Sequence, residues 1–143
     1  MPNVLLIDDD EPICTLITAL CSRMGLTVEC AADGVEGVSL LRRHTYDAVL
    51  LDLMLPKQNG FEVLREMRSH APQMLQRTII ITAASDATLK DFDGGGTLAL
   101  LRKPFDIDDL CDALVSCTDS SRTLRGTPEA APADRRGRQR WLA

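Results

Sequence analysis

Five side chains in this sequence have the chemistry to handle a divalent cation and a phosphoryl group. Asp8 and Asp9 close the apolar run Val4-Leu5-Leu6-Ile7, and Asp52 closes Ala48-Val49-Leu50-Leu51. Thr82 follows Ile79-Ile80-Ile81, and Lys103 stands just beyond Leu98-Ala99-Leu100-Leu101. An acid at the end of a buried strand carries a desolvation cost unless a cation, a partner or an open sheet edge offsets it. If the runs are parallel strands, their ends share one edge. Three carboxylates, a hydroxyl and an ammonium then converge. Carboxylates ~4 Å apart repel by about 4 kcal/mol at an effective dielectric of ~20. Mg2+ relieves such repulsion, since it takes a few oxygen ligands and keeps several waters. With the cation bound, Asp52 would remain nucleophilic toward an incoming phosphoryl group. Lys103 and the Thr82 hydroxyl would each take a further phosphoryl oxygen, because such transfer depends on positioning and charge.

The elements that must position these groups are legible as periodicities. Val4–Ile7 reads as a buried strand. Pro12 suits a first helical turn, and Ile13, Leu16, Ile17, Leu20, Cys21 and Met24 form a helical stripe stopped by Gly25. Leu26–Cys30 alternates apolar and polar, as a strand near a sheet edge does. Asp33-Gly34 turns into a second helix with Val35, Val38 and either Leu40 or Leu41, ending near His44. After Asp52, Pro56 and Asn59-Gly60 break the chain. Phe61, Leu64 and Met67, flanked by Val63, mark a third helix ended by Pro72. Thr78–Ile81 is a fourth strand. Residues 84–96 hold only Leu89 and Phe92 as large apolar groups before Gly94-Gly95-Gly96, which predicts a short fourth helix. Leu98–Leu101 is a fifth strand. Asp106 caps a last helix with the stripe Ile107, Leu110, Cys111, Leu114 and Val115, and with Asp108 and Asp109 near its positive end. Strands alternating with helices predict an α/β doubly wound, five-stranded parallel sheet in the order 2-1-3-4-5, with ligands at the C-terminal strand ends.

The chain has 143 residues, of which 45% are hydrophobic, enough for the core of one domain. One domain is expected over residues 1–118, followed by a basic, unstructured tail over 119–143 with no periodicity. No apolar run approaches the ~20 residues of a membrane span, and no leader pattern opens the chain, so a cytoplasmic protein is the default expectation. Residues 1–118 hold 10 basic and 18 acidic side chains, a formal −8, which argues against nucleic-acid binding by the body. Residues 119–143 hold six Arg and three acids; Arg135, Arg136, Arg138 and Arg140 could touch an anionic surface, though an unpartnered tail is the expectation. Cys14, Cys21, Cys30, Cys111 and Cys117 show no C-x-x-C spacing and are read as reduced core thiols. His44 and His70 are read as surface residues. Asp10 and Glu11 are read as charges at a helix start.

Taken together, Val4–Pro12, Tyr46–Gly60, Ile79–Ala83 and Lys103-Pro104-Phe105 resemble the receiver domain of two-component response regulators. The likeness runs over roughly residues 2–118, in order. Each motif is modest alone; the ordered set of acidic pair, Asp-x-x-x-Pro-x-x-x-Gly, Thr-Ala and Lys-Pro-Phe is specific. The resemblance implies a flavodoxin-like (βα)5 fold with Asp52 as phospho-acceptor. It implies Asp9 and Asp52 as direct Mg2+ ligands, Asp8 as a ligand through water, and the Met54 backbone carbonyl as a third protein ligand. Thr82 matches the hydroxyl that engages the phosphoryl group, and Lys103 its salt-bridge partner, with a cis Lys103-Pro104 bond. The implied partners are a sensor histidine kinase or phosphotransfer protein and a downstream target. No DNA-binding domain is read in this chain, no membrane association is expected, and a homodimer is open.

This sequence departs from the family pattern in three places. The switch aromatic on the fifth strand falls at Leu100. The fourth helix is thin. Met54 and Ala84 occupy the two positions that tune dephosphorylation, and neither side chain can orient an attacking water, which implies a long-lived phosphorylated form. The leading expectation is a phosphorylation-dependent switch, which catalyses only its own phosphoryl transfer and dephosphorylation. The alternative is a pseudo-receiver that binds proteins independently of phosphorylation. A Mg2+-dependent phosphatase is disfavoured, since Met54 stands where a second acid would be needed.

Overall fold

A computed structural model describes residues 2–118 and the backbone of 139–140. Five strands, β1 (Asn3–Ile7), β2 (Thr27–Ala31), β3 (Ala48–Leu51), β4 (Thr78–Thr82) and β5 (Ala99–Arg102), alternate with five helices. These are α1 (Glu11–Arg23), α2 (Gly34–Arg43), α3 (Gly60–His70), α4 (Asp86–Leu89) and α5 (Ile107–Thr118). The first four helix starts are fixed by short polar side chains that accept an orphan amide N–H. Asp10 accepts from Ile13 at 3.3 Å, Asp33 from Glu36 at 2.9 Å, Asn59 from Glu62 at 3.0 Å and Ser85 from Thr88 at 3.2 Å. In α2 the Glu36 carboxylate also accepts from the amide of Ala32, the residue before the N-cap, and so ties the incoming loop to the first turn. Asp106 accepts from the Asp108 amide at 2.8 Å, as expected of the residue that opens α5.

The five strands are parallel and stand in the expected order, β2-β1-β3-β4-β5. Side chains alternate across the sheet and sort into two cores. Leu5, Ile7, Val49, Leu51 and Ile80 face α2 and α3 with Val38, Val63, Leu64 and Met67. Val4, Leu6, Ala48, Leu50, Ile79 and Ile81 face α1 and α5 with Ile17, Cys21, Leu110 and Leu114. The continuous apolar runs of β1, β3 and β4 thus reflect helix cover on both faces, and β2 lies at an edge.

Several expectations need correction. Leu16, Val35 and Ile107 keep the helical spacing but are 40%, 53% and 44% exposed, because the buried stripes are narrower than the periodicity suggests. A 3-10 helix over Pro72–Arg77, absent from the sequence pattern, buries Met74 and Leu75 and leads into β4. Of the five thiols only Cys21 is buried, and Cys30 is exposed, so the description of all five as core thiols does not hold. The five parallel strands stand as expected, and a two-residue strand, β6 (Gln139–Arg140), adds an antiparallel pairing beside β5. The rest of the tail expectation lies outside the described residues. Within them, no helix is long and apolar enough to cross a membrane.

Candidate functional site

Strand register does the first part of the assembly. Ile7 of β1 is opposite Leu51 of β3, so Asp8 and Asp52 leave the sheet side by side. The Asp52 amide donates to the Ile7 carbonyl at 3.0 Å, and the Asp8 amide to Ala31 at the end of β2. Thr82 is opposite Arg102, and the Lys103 amide donates to the Thr82 carbonyl at 2.8 Å. Lys103 therefore starts beside Thr82 and reaches across β4 to the acids. The Lys103–Pro104 peptide is cis. Lys103 Nζ lies 3.1 Å from Asp52 Oδ2 and 2.9 Å from Asp8 Oδ2.

Each acid is held at one oxygen by the turn that follows it. The Met54 amide donates to Asp52 Oδ1 at 2.9 Å, and the Asp10 amide to Asp8 Oδ1 at 2.9 Å. Thr82 is fully buried, and its Oγ1 accepts from the Ala84 amide at 3.0 Å. Gly60 closes the loop after Asp52. A Cβ there would stand 2.5 Å from the Asp52 carbonyl oxygen and 2.5 Å from the Leu53 Cα, so only glycine lets α3 start this close to the acceptor strand.

One ammonium faces three acids. Carboxylate oxygens of Asp8, Asp9 and Asp52 lie within 4.8 Å of one another, a repulsion of about 3 kcal/mol per charged pair at an effective dielectric of ~20. Burial pushes the Asp8 carboxyl above its ordinary range; the charge of Asp52 adds to this, and Lys103 and the Asp10 amide oppose it without cancelling it. Burial pulls the Lys103 ammonium down, but its contacts with Asp8 and Asp52 outweigh that, so it is held above the usual lysine value. Asp8 Oδ2 is buried and accepts no directed hydrogen bond among the described residues. A buried, under-satisfied carboxylate oxygen beside two further acids suits a hard divalent cation. The residues fit Mg2+.

Asp8, Asp52 and Lys103 are thus in direct contact, Asp9 stands beside them at the surface, and Thr82 lies on the next strand. Met54 is 54% exposed, while its amide holds Asp52. Leu100 is buried in the α2–α3 core with Ile80. Asp10 caps α1, as expected of a helix-start charge, and also anchors Asp8 through its amide. That second contact, and the need for glycine at position 60, are backbone effects that side-chain types do not announce.

Comparisons with known proteins agree with this geometry. The family described as the response regulator receiver domain matches residues 4–115. The DNA-binding dual master transcriptional regulator RpaA of Synechocystis is 34% identical over 112 residues, 77% of this chain and 46% of RpaA. The chain thus spans about half the length of that relative. The receiver domain of a Pseudomonas aeruginosa sensor histidine kinase, solved with magnesium in its active-site cleft, is 30% identical with a TM-score of 0.69, covering 80% of this chain and 94% of that one. The response regulator TrrA of Thermotoga maritima, solved with Mg2+ and BeF, is 26% identical with a TM-score of 0.73, covering 82% and 99%. The family match over most of the described residues and the shared architecture lead to one conclusion: this chain belongs to the response regulator receiver domain family.

Proposed function

We propose that the protein is a Mg2+-dependent phosphorylation switch whose acceptor is Asp52. The observation that carries this is the Asp52 carboxylate clamped by Lys103 and the Met54 amide beside Asp8 and Asp9. Asp8, Asp9, Asp52 and the Met54 carbonyl would hold the cation. Mg2+, when bound, supplies charge neutralisation for the phosphoryl oxygens. Asp52 attacks phosphorus, a P–O bond forms, and the bond to the donor's leaving group breaks. Lys103 moves its charge onto a phosphoryl oxygen, and the Thr82 hydroxyl gives up the Ala84 amide to meet another. The donor is a phosphohistidine on a sensor kinase or phosphotransfer protein, and the setting is cytoplasmic. The readout passes to a protein target, so the role is regulatory, without turnover of a separate substrate.

Mass spectrometry after incubation with acetyl phosphate and Mg2+ tests this. A single phosphate adduct, absent in Asp52→Asn, is expected. An unmodified wild-type protein would instead mark a constitutive binding module of the same fold. The exposed Met54 and the apolar Ala84 leave the two tuning positions without a group that orients water. The isolated phosphoprotein is therefore expected to persist with Mg2+ present, and its loss within seconds would contradict that expectation.

A further inference from the structure

The loop that carries Met54 is fastened from the side as well as at its ends. Among the described residues, Lys57 is the one non-glycine residue with a positive φ, +64°. That conformation is unfavourable for an L side chain and persists where neighbours impose it. The neighbour here is the first turn of α2. Lys57 Nζ lies 3.3 Å from Asp33 Oδ2, while Asp33 Oδ1 caps α2 by accepting from the Glu36 amide at 2.9 Å. Next to this pair, the Gln58 backbone lies against Gly34. A Cβ on Gly34 would stand 1.7 Å from the Gln58 carbonyl oxygen and 2.6 Å from its carbon. Gly34 is helical and has no positive φ, so glycine supplies room here rather than backbone freedom. The chain entering that turn also reaches the other side of the acid cluster. The Ala31 carbonyl accepts from the Asp8 amide, and the Ala32 amide donates to Glu36.

We propose that Asp33, Gly34 and Lys57 are positioning residues for phosphoryl transfer at Asp52: the first turn of α2 latches the Asp52–Gly60 loop and keeps the Met54 amide on the acceptor carboxylate. They act through the loop. Between Met54 and Lys57 stand Leu55, packed against the α2–α3 core, and Pro56, whose ring fixes its own φ. A shift at Lys57 and Gln58 is therefore passed on to Met54 rather than absorbed between them. With the latch open, the loop samples more conformations, and the Met54 amide leaves Asp52 Oδ1 for part of the time. Only chains with the acceptor aligned react, so uptake slows as that fraction falls. The role in transfer rests on the proposed reading of Asp52; the latch rests on the protein contacts alone.

Two variants of the 143-residue chain test this. Asp33→Asn keeps a capping side chain, and Lys57→Asn keeps a residue that tolerates a positive φ; each removes one charge of the pair. In both, hydrogen exchange at the Met54 amide is expected to be about threefold faster and uptake from acetyl phosphate with Mg2+ about threefold slower, with melting temperatures near wild type. The double variant should be no slower than either single one, because both open the same latch. Lys57→Arg should restore the wild-type rates. The two Asn substitutions change the net charge in opposite directions. Opposite changes in uptake therefore mark a field effect and overturn the latch. A lowered melting temperature with Met54 exchange at the wild-type rate marks a structural contact only, and overturns it too. Gly34→Ala drives a methyl group into the Gln58 backbone and should move both rates further in the same direction; unchanged rates there contradict the proposal. Absence of an adduct on the wild-type protein overturns the reading of Asp52, and the role in transfer with it, while Met54 exchange in the variants still reads the latch.

Discussion

Asp8 carries the most tension of any single residue described. Burial raises its proton affinity in the fold above that in the unfolded chain, so its charged form is a net cost to folding. A group with a raised folded pKa favours the fold below its unfolded value and loses that contribution as pH rises through the folded value. Without divalent cation, Asp8→Asn is therefore expected to be more stable than wild type at pH 7, by ~1 kcal/mol or a few degrees in melting temperature. The gap should narrow on acidification, as the wild-type carboxyl takes up its proton. Thermal melts of both proteins from pH 7 downward check it; a less stable Asp8→Asn at pH 7 contradicts it. At this scale the sequence is informative where chemistry resides in side-chain type. Asp52, Lys103 and the acidic pair are visible because acids and a lysine at strand ends are out of place. The Met54 and Asp10 amides that hold those acids are invisible, since any residue there offers the same N–H.

Among the elements, the loop from Asp52 to Gly60 sets the site most tightly. A methyl group at position 60 would collide with backbone rather than with a yielding side chain. Gly60→Ala is expected to lose ~1–3 kcal/mol and to slow phosphoryl uptake, because the colliding atoms belong to Asp52 and Leu53. Gly25→Ala is a suitable contrast. It meets nothing within 4 Å but sits at φ +77°, so it should lose ~1 kcal/mol through backbone strain and leave uptake intact. Denaturant unfolding and adduct formation, measured side by side, separate the two. Strands and helices were legible here because covered strands are apolar throughout and helices show a 3.6-residue stripe. The Pro72–Arg77 helix was not, because six residues are too few to show a period, and Pro72 marks both the end of α3 and the start of that turn. The four residues of α4 fit the sparse apolar content of residues 84–96.

For the whole molecule, the proposed cation binding would be linked to folding in one equilibrium. A ligand that binds only the folded chain stabilises it by mass action, about 1.4 kcal/mol at ten times its dissociation constant, or ~5 °C in a domain of this size. Mg2+ is expected to raise the melting temperature of the wild-type protein and to leave Asp8→Asn nearly unmoved. An equal rise in both would place the cation elsewhere.

The acid edge described above has a further effect at a distance. With 18 acidic and 10 basic side chains over residues 1–118, the body repels anions before any contact forms. A small phosphorylated donor approaches against that field, and salt screens it beyond ~8 Å at physiological ionic strength. Adding an inert monovalent salt should thus speed the encounter with an anionic small donor. The proposed protein donor would be drawn in by a positive face around its phosphohistidine, and for that encounter salt would slow association. The opposite signs of these two salt dependences would separate incidental phosphorylation by small metabolites from phosphorylation by a partner selected by long-range attraction.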